Sequence, residues 1–344
     1  MTSSTEAKVT EPPGGPGEPD ETTVDVPKDI AELVGRSPGQ LMWRRFKRDR
    51  TGVIAAYVVI FFFAIAILAP VIAKLYGKNP YTLYGEDNPD LLNEFGYPVA
   101  PNGGMSSHFW FGIEPQLGRD VFTQLLYGIR TSLGIAVAVT ISVTITAILL
   151  GIAGGYLGGK ADYFIGRVSD LLMAFPSQLF FVAFMPVVVS IFVSPADATP
   201  TYLRVVALIM VQWFLGWMGL ARLLRGQVLT LREREFIEAA RVTGASPWRI
   251  IRHELLPNLV TPILVQSTLM LPGFVTAEAG LSFLGVGLIE PTPDWGRMFA
   301  TGGAIYQNDL TYMFFPGIAM VVFIVAFNLL GDSVRDAFDP KTAR

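Results

Sequence analysis

The chain has 344 residues, of which 51% are hydrophobic and only 16% are charged, with a formal net charge of −3 and a mean hydropathy of +0.45. Soluble globular proteins carry about a quarter charged residues, so this composition is that of an integral membrane protein. The sequence has no cysteine and only two histidines, His108 and His253, which lie far apart. Disulfides and thiol chemistry are therefore excluded, and no metal site is expected.

Residues 1–40 differ in composition from the rest of the chain. They contain a Pro- and Gly-rich run from Pro12 to Pro19 and eight acidic residues against three basic ones. Such a segment cannot bury enough apolar surface to offset its conformational entropy. We expect a disordered acidic tail on the cytoplasmic side. It is not expected to be a signal peptide, because it lacks a basic start followed by an apolar core.

Residues 41–51 combine Trp43 and Phe46 with a cluster of arginines and lysine. This pattern predicts an amphipathic helix in the plane of the membrane, with aromatic rings among the lipid headgroups and cations near the phosphates. The alternative is that these basic residues only set the topology of the first span.

Six stretches are long and apolar enough to cross a bilayer, which requires about 20 residues. Together they predict an all-α polytopic membrane domain over residues 52–335 with six transmembrane helices. Prolines interrupt the third and fifth stretches, and membrane helices tolerate them where neighbours satisfy the freed backbone groups. The stretches are residues 52–73, 133–156, 168–193, 205–223, 259–286 and 312–330.

The basic residues predict the orientation of these spans. They are concentrated before the first span and between the fourth and fifth, where seven arginines lie between Arg222 and Arg252. Cytoplasmic loops carry this excess, so both termini, including the short tail 336–344, are expected in the cytoplasm. The loops 74–118, 194–203 and 287–310 are expected outside.

Residues Gly154–Lys160 have the glycine and lysine spacing of a phosphate-binding loop. That loop needs a serine or threonine after the lysine to hold magnesium, and here Ala161 follows. It also needs a preceding buried strand, whereas this segment ends a membrane span. The glycines are better interpreted as sites of close helix packing, and the chain is not expected to be an enzyme.

Ionisable residues inside the spans are nearly absent, and Glu278 is the one clear interior case. An ion-coupled secondary transporter or channel, the alternative function, usually needs a relay of several such groups. Glu278 is equally well interpreted as a hydrogen-bonded residue at a helix break or as part of a gate.

The polar segment between the fourth and fifth spans predicts two short helices joined by a glycine elbow. The first covers Leu231–Thr243 and stops at Gly244, where a left-handed conformation suits glycine. Ser246 then caps a second helix with Pro247 at its first position. This helix is expected to run to about Leu256, with the next span starting at Pro257. Such a charged surface suits docking into a groove of a soluble partner.

This segment resembles the EAA loop of ABC importer permeases, here residues 224–257. The resemblance rests on Glu238-Ala239-Ala240, Gly244 and Leu256-Pro257. Further matches favour the dipeptide/oligopeptide subfamily and its C-type subunit. They are Gly118–Phe122 with Leu125–Gly128, Leu281–Gly287, Pro291–Gly296 and Asn328–Asp332.

The resemblance implies a permease subunit that imports peptides or similar small solutes. It implies three kinds of protein partner: a homologous second permease, two ATP-binding subunits that hold ATP and magnesium, and an extracytoplasmic solute-binding protein. Membrane lipids surround the assembly, and no nucleic acid is expected to bind. Glu278 and Phe283 become candidates for the pathway or gate. The outer-loop residues expected to face the binding protein are Tyr97, Trp110, Phe111, Arg119 and Asp120.

One residue departs from the family's pattern within the loop. Two positions before Leu256-Pro257 the family usually has an apolar residue, and this chain has Glu254.

The purified chain, separated from other subunits, is expected to hydrolyse no ATP, because residues Gly154–Lys160 lack the magnesium-binding hydroxyl. Phosphate release in detergent measures this, with Lys160→Ala as the control. Hydrolysis that disappears in the Lys160→Ala variant would contradict the interpretation.

Overall fold

The computed structural model describes residues 38–338 except 195, 196 and 198. Within these residues all regular elements are helical, as the sequence predicts. Five helices are long and apolar enough to cross a membrane, and a bent helix pair provides a sixth span if it crosses as one unit. The predicted tail 1–40 lies outside the described residues except for its last three, and so do residues 339–344.

The helices are numbered in chain order. Residues 77–120 form a loop that contains only single helical turns, and these turns are not numbered. The elements are α1 (Pro38–Arg48), α2 (Arg50–Tyr76), α3 (Val121–Ile152), α4 (Gly159–Met173), α5 (Ser177–Phe192), α6 (Thr201–Arg232), α7 (Glu235–Val242), α8 (Pro247–Ile250), α9 (Leu256–Phe283), α10 (Trp295–Ile305) and α11 (Thr311–Phe338). A π-helical turn, Ala153–Leu157, extends α3, and another, Ile251–Leu255, joins α8 to α9.

Two features of the membrane domain differ from the prediction. The third span is not one kinked helix: α4 and α5 meet at an angle of 91°, with Pro176 capping α5. Proline lacks the N–H that would continue the helix, and a break at this position therefore becomes a sharp bend. The helix of the second predicted span, α3, begins at Val121, twelve residues before the predicted start of the span. Asp120 caps it by accepting a hydrogen bond from the Thr123 N–H at 2.7 Å.

Contacts along the helices fix their directions. α3 and α6 run parallel, since Gly151 lies against Ala221 and Gly155 lies against Val228. α9 runs antiparallel to α3, and the hydroxyls of Thr144 and Ser267 lie 2.9 Å apart between them. α2 and α11 are also antiparallel, with Phe62 packed on Phe323 near mid-helix and Gly52 on Ser333 at one end.

These directions place the connecting segments at two opposite ends of the bundle. We call the end that carries residues 77–120 and 284–310 the outer end. The opposite end carries α1, the turn after α3, α7 and α8, and we call it the inner end. The buried apolar side chains form two clusters that share α3 and α9: one reaches α6, α7 and α8, and the other reaches α2, α10 and α11.

Close packing of α3 on α6 depends on Gly151. A Cβ atom added there would lie 2.8 Å from the Ala221 carbonyl oxygen and 2.9 Å from the Leu224 Cβ, so neighbouring backbone would have to move. Gly134 lies in the same helix and would have nothing within 4 Å of an added Cβ.

Gly151→Ala should therefore lower the free energy of unfolding by about 1–3 kcal/mol through overpacking. Gly134→Ala, the matched control, should be neutral or slightly stabilising, because alanine is the better helix former. Thermal unfolding in detergent compares the two. Equal transition temperatures would show that α3 and α6 do not pack as described.

Candidate functional site

The candidate site is the coupling loop, which we define as residues 233–255 at the inner end. α6 ends at Arg232, whose guanidinium lies 3.5 Å from the carbonyl oxygens of Gly155 and Tyr156. α7 begins at Glu235 as a separate helix, so the predicted single helix from Leu231 is wrong by four residues at its start. The chain turns at Glu233 and Arg234 instead of continuing along α6.

Gly244 ends α7 as the sequence predicts. Its φ of +83° lies in the left-handed region, which glycine adopts without steric cost. The Gly244 N–H donates to the Arg241 carbonyl at 2.9 Å, and the Ala245 N–H donates to the Ala240 carbonyl at 3.0 Å. These two bonds form a Schellman motif, which satisfies carbonyls that the helix end would leave free.

The second helix starts as predicted and ends differently. The Ser246 side-chain oxygen accepts from the Arg249 N–H at 3.4 Å, and Pro247 occupies the first turn. The predicted helix to about Leu256 is instead a single α-helical turn, Pro247–Ile250, followed by the π-helical turn Ile251–Leu255. After one turn, the backbone passes through the π-helical turn directly into α9, which starts at Leu256 with Pro257 in its first turn.

Three apolar side chains attach the coupling loop to the membrane bundle. Ile237, Ile250 and Leu255 have at most 1% of their surface exposed and belong to the same buried cluster as α3 and α6. Glu238 and Ala239 of α7 are exposed on the opposite side, and Ala240 is half-buried. The loop therefore presents one face to the bundle and one face to the solvent.

The solvent face contains a groove of about 520 Å³ between α7 and α8. Four of its nine lining residues are alanine or glycine, and the other five include one aromatic ring, one cation and one carboxylate. The lining residues are Phe236, Ala239, Ala240, Thr243, Gly244, Ala245, Arg249, Ile250 and Glu254. Two large apolar side chains, Val242 and Trp248, are 83% and 67% exposed beside it. Such a surface can receive a protruding segment of another protein.

The glycines after α3 support this end of the bundle and do not form an open phosphate-binding loop. Gly154 and Gly155 are buried, and a Cβ added at Gly155 would lie 2.7 Å from the Val228 Cβ. The prediction of close helix packing at these glycines is confirmed. Arg241 of α7 lies over the Tyr156 ring at 5.7 Å, so the same turn also contacts the coupling loop.

An ion-pair network holds the outer end together. Arg119 is 1% exposed and lies between the carboxylates of Glu114 and Glu290. Its NH2 group is 2.8 Å from Glu114 Oε1 and 3.0 Å from Glu290 Oε1, and the Tyr312 hydroxyl donates to the same Glu114 oxygen at 3.0 Å. Both carboxylates raise the pKa of Arg119 above its ordinary value despite its burial.

The structure places the five predicted outer-loop residues in two groups. Trp110 is 52% exposed, and Tyr97 and Phe111 are half-buried, with Phe111 stacked on Phe315 at 4.0 Å. Arg119 and Asp120 are buried and form no part of the outer surface, which corrects the expectation that they face a binding protein. Burial raises the pKa of Asp120, which caps α3 and also accepts from the Tyr76 hydroxyl at 3.1 Å.

The two candidate pathway residues, Glu278 and Phe283, differ in burial. Glu278 is fully buried in α9, with the Ser282 hydroxyl 3.3 Å from its carboxylate, whereas Phe283 is 51% exposed at the end of the same helix. A second buried carboxylate, Asp294, lies at the start of α10 and accepts from the Arg297 N–H at 2.9 Å. Burial raises the pKa of Asp294 above its ordinary value. Sequence reasoning missed Asp294, although an aspartate directly before Trp295-Gly296 is a typical helix cap.

The architecture is that of a polytopic helical membrane protein with an open groove at its inner end. Residues 147–344 match the family described as binding-protein-dependent transport system inner membrane components. Residues 37–94 match the N-terminal transmembrane domain of oligopeptide transport permease C.

Curated relatives match almost the whole chain. A dipeptide transport system permease protein, DppC, of Bacillus subtilis is 34% identical over 88% of this chain and 85% of its own length. The protein of the same name in Alkalihalophilus pseudofirmus is 32% identical over 89% of this chain and 90% of its own length. A glutathione transport system permease protein, GsiD, of Escherichia coli is 36% identical, with 89% and 91% covered.

Among solved structures, the fold is similar to a chain of the MetNI methionine ABC transporter in an inward-facing conformation. The TM-score is 0.51 at 19% identity, and the match covers 68% of this chain and all of that one. The chain belongs to the family of inner-membrane components of binding-protein-dependent transport systems.

Arg119→Ala should lower the free energy of unfolding by about 3–5 kcal/mol, because it leaves the buried carboxylate of Glu114 unpaired. Arg222→Ala is the control, since Arg222 pairs with Asp170 through side chains that are 53% and 61% exposed, and its loss should cost less than about 1 kcal/mol. Thermal unfolding in detergent measures both. An Arg119→Ala protein as stable as the Arg222→Ala protein would contradict a structural role for the outer network.

Proposed function

We propose that this chain is one of two homologous permease subunits of an ABC importer for dipeptides, oligopeptides or similar small solutes. The observation that carries the proposal is the coupling loop: a helix pair packed on the bundle and bearing an open groove, in a chain that matches transport permeases over about nine-tenths of their length. The relatives named for dipeptide and glutathione transport both handle small peptides, which favours a peptide substrate.

In the proposed assembly, α4 and α5 face the second permease or the solute pathway. Their described side chains are mostly exposed, and only Ser169, Phe181 and Met185 are buried. Polar groups are among the exposed ones, including Gln178, Ser190 and the pair formed by Asp170 and Arg222. Polar side chains are costly in lipid, so a wet pathway or a protein partner is the better environment for this face.

Energy would enter through the inner end. Two ATP-binding subunits, which hold ATP and magnesium, would receive the coupling loops in clefts of their own. A loop that contacts their closed state differently from their open state biases the membrane helices between two arrangements. Since α8 continues through Leu255 into α9, a movement of the loop would reach Glu278 and Phe283 along one helix. We retain these two residues as candidates for the gate.

The outer end would receive cargo from an extracytoplasmic binding protein. Trp110, Tyr97 and Phe111 of residues 77–120 remain the candidate contacts, and Arg119 and Asp120 would support them from inside. The proposed orientation places both termini in the cytoplasm of the cell that carries this protein in its inner membrane. The basic residues of α1 lie at the same end as the arginine-rich coupling loop, as the excess of cations on cytoplasmic loops requires.

Glu238→Lys and Gly244→Val should each abolish peptide uptake and leave the protein inserted in the membrane. Glu238 is exposed, and a Cβ at Gly244 would meet nothing within 4 Å, so neither change disturbs the packed bundle. Valine at a φ of +83° strains the elbow by about 1–2 kcal/mol and alters the groove wall.

Uptake of a labelled dipeptide by cells or proteoliposomes measures the effect, with membrane content checked by immunoblot. Gly226→Val is the control, because Gly226 lies in α6 and an added Cβ there would also have open space. Transport by Gly244→Val at the wild-type rate would refute the assignment of the coupling loop.

A further inference from the structure

Glu254 lines the groove, and its carboxylate forms no ion pair with another residue in the described part of the chain. It lies in the π-helical turn between α8 and α9 and is half-buried among the small and apolar residues of the groove wall. The polar contact at this residue is made by its backbone: the carbonyl oxygen accepts from the Asn258 side-chain amide at 2.7 Å. The carboxylate is free to face the groove.

No cation of the described part of the chain lies within 4.0 Å of that carboxylate, although such pairs form elsewhere in it. Arg249 lines the same groove without reaching Glu254, and the His253 ring contacts the Arg249 carbonyl oxygen instead, at 3.2 Å. A carboxylate in this position is partly desolvated and has no internal counter-ion. It therefore gains from a cation that closes on it from outside.

We propose that the ATP-binding subunit inserts a lysine or arginine side chain into the groove and pairs it with Glu254. This inference rests on the proposed function and names the chemistry of the partner at that site. The apolar stem of a long basic side chain fits the wall formed by Phe236, Ala240 and Ile250, and its charged end reaches the carboxylate. Glu254 thereby selects an ATP-binding subunit that carries a basic residue at the matching position. An apolar residue at this position could not make that selection.

Glu254→Gln tests the pair because it removes the charge and keeps the shape. The permease pair, reconstituted in nanodiscs, is titrated with its ATP-binding subunits at low and at moderate salt. The Glu254→Gln protein should bind about tenfold more weakly at low salt, and its affinity should depend less on salt than that of the wild type. Glu254→Lys should bind more weakly still, because it opposes like charges.

Glu94→Gln is the control. Glu94 is an exposed carboxylate of residues 77–120 at the outer end, on the opposite side of the bundle from the groove, so its neutralisation should leave the affinity for the ATP-binding subunits unchanged. Equal unfolding temperatures of the Glu254→Gln and wild-type proteins would show that any loss of affinity arises at the interface.

The Gly244→Val variant distinguishes failure of the ion-pair proposal from failure of the proposed docking surface. If Gly244→Val weakens binding and Glu254→Gln binds like the wild type, the ion pair is refuted and the docking surface stands. If neither variant changes the affinity, the coupling loop is not the docking surface, and the proposed function fails at this point together with the ion pair. A Glu254→Leu protein that binds as tightly as the wild type would also overturn the proposal.

Discussion

The packing of the coupling loop against the membrane bundle is the structural constraint on which the proposed transport function depends. Ile237 from α7, Ile250 from α8 and Leu255 from the following turn are buried in the cluster that also holds α3 and α6. Each such side chain contributes about 1.5–3 kcal/mol by its removal from water. Because the helices on both sides of the elbow are anchored in this way, a displacement of the loop would disturb the packing of the bundle.

The glycine elbow and the groove follow from that attachment. Gly244 takes the left-handed conformation that ends α7, and the Schellman bonds to the carbonyls of Ala240 and Arg241 fix this turn. The small side chains of Ala239 and Ala240 leave the space between these helices open. At the outer end, the buried pairing of Arg119 with Glu114 and Glu290 connects the long loop before α3 to the segment before α10. The two ends therefore differ: the inner end has an open groove, and the outer end is held together by a buried ion-pair network.

The sequence was most informative where one local pattern decides one local structure. Hydropathy located α2, α6, α9 and α11, and the glycine, serine and proline of the elbow predicted their own capping roles. It failed where the outcome depends on distant partners. Arg119 and Glu290 are 171 residues apart, so nothing local distinguishes the buried arginine from a surface one. α10 is short and amphipathic, and only Trp295, packed near the Phe62 and Phe323 rings, shows that it enters the bundle. The prolines marked an interruption of the third stretch, but hydropathy did not indicate the angle of 91° between α4 and α5.

The central claim is that the coupling loop contacts the ATP-binding subunits while residues 77–120 lie on the other side of the membrane. The natural chain has no cysteine, so a single cysteine carrying a photo-crosslinker can be placed at Val242, 83% exposed at the inner end, or at Val99, 60% exposed at the outer end. In the assembled importer, the account predicts that the probe at position 242 cross-links an ATP-binding subunit and that the probe at position 99 does not. An intact assembly in which position 242 never cross-links an ATP-binding subunit, or in which position 99 does, would contradict it.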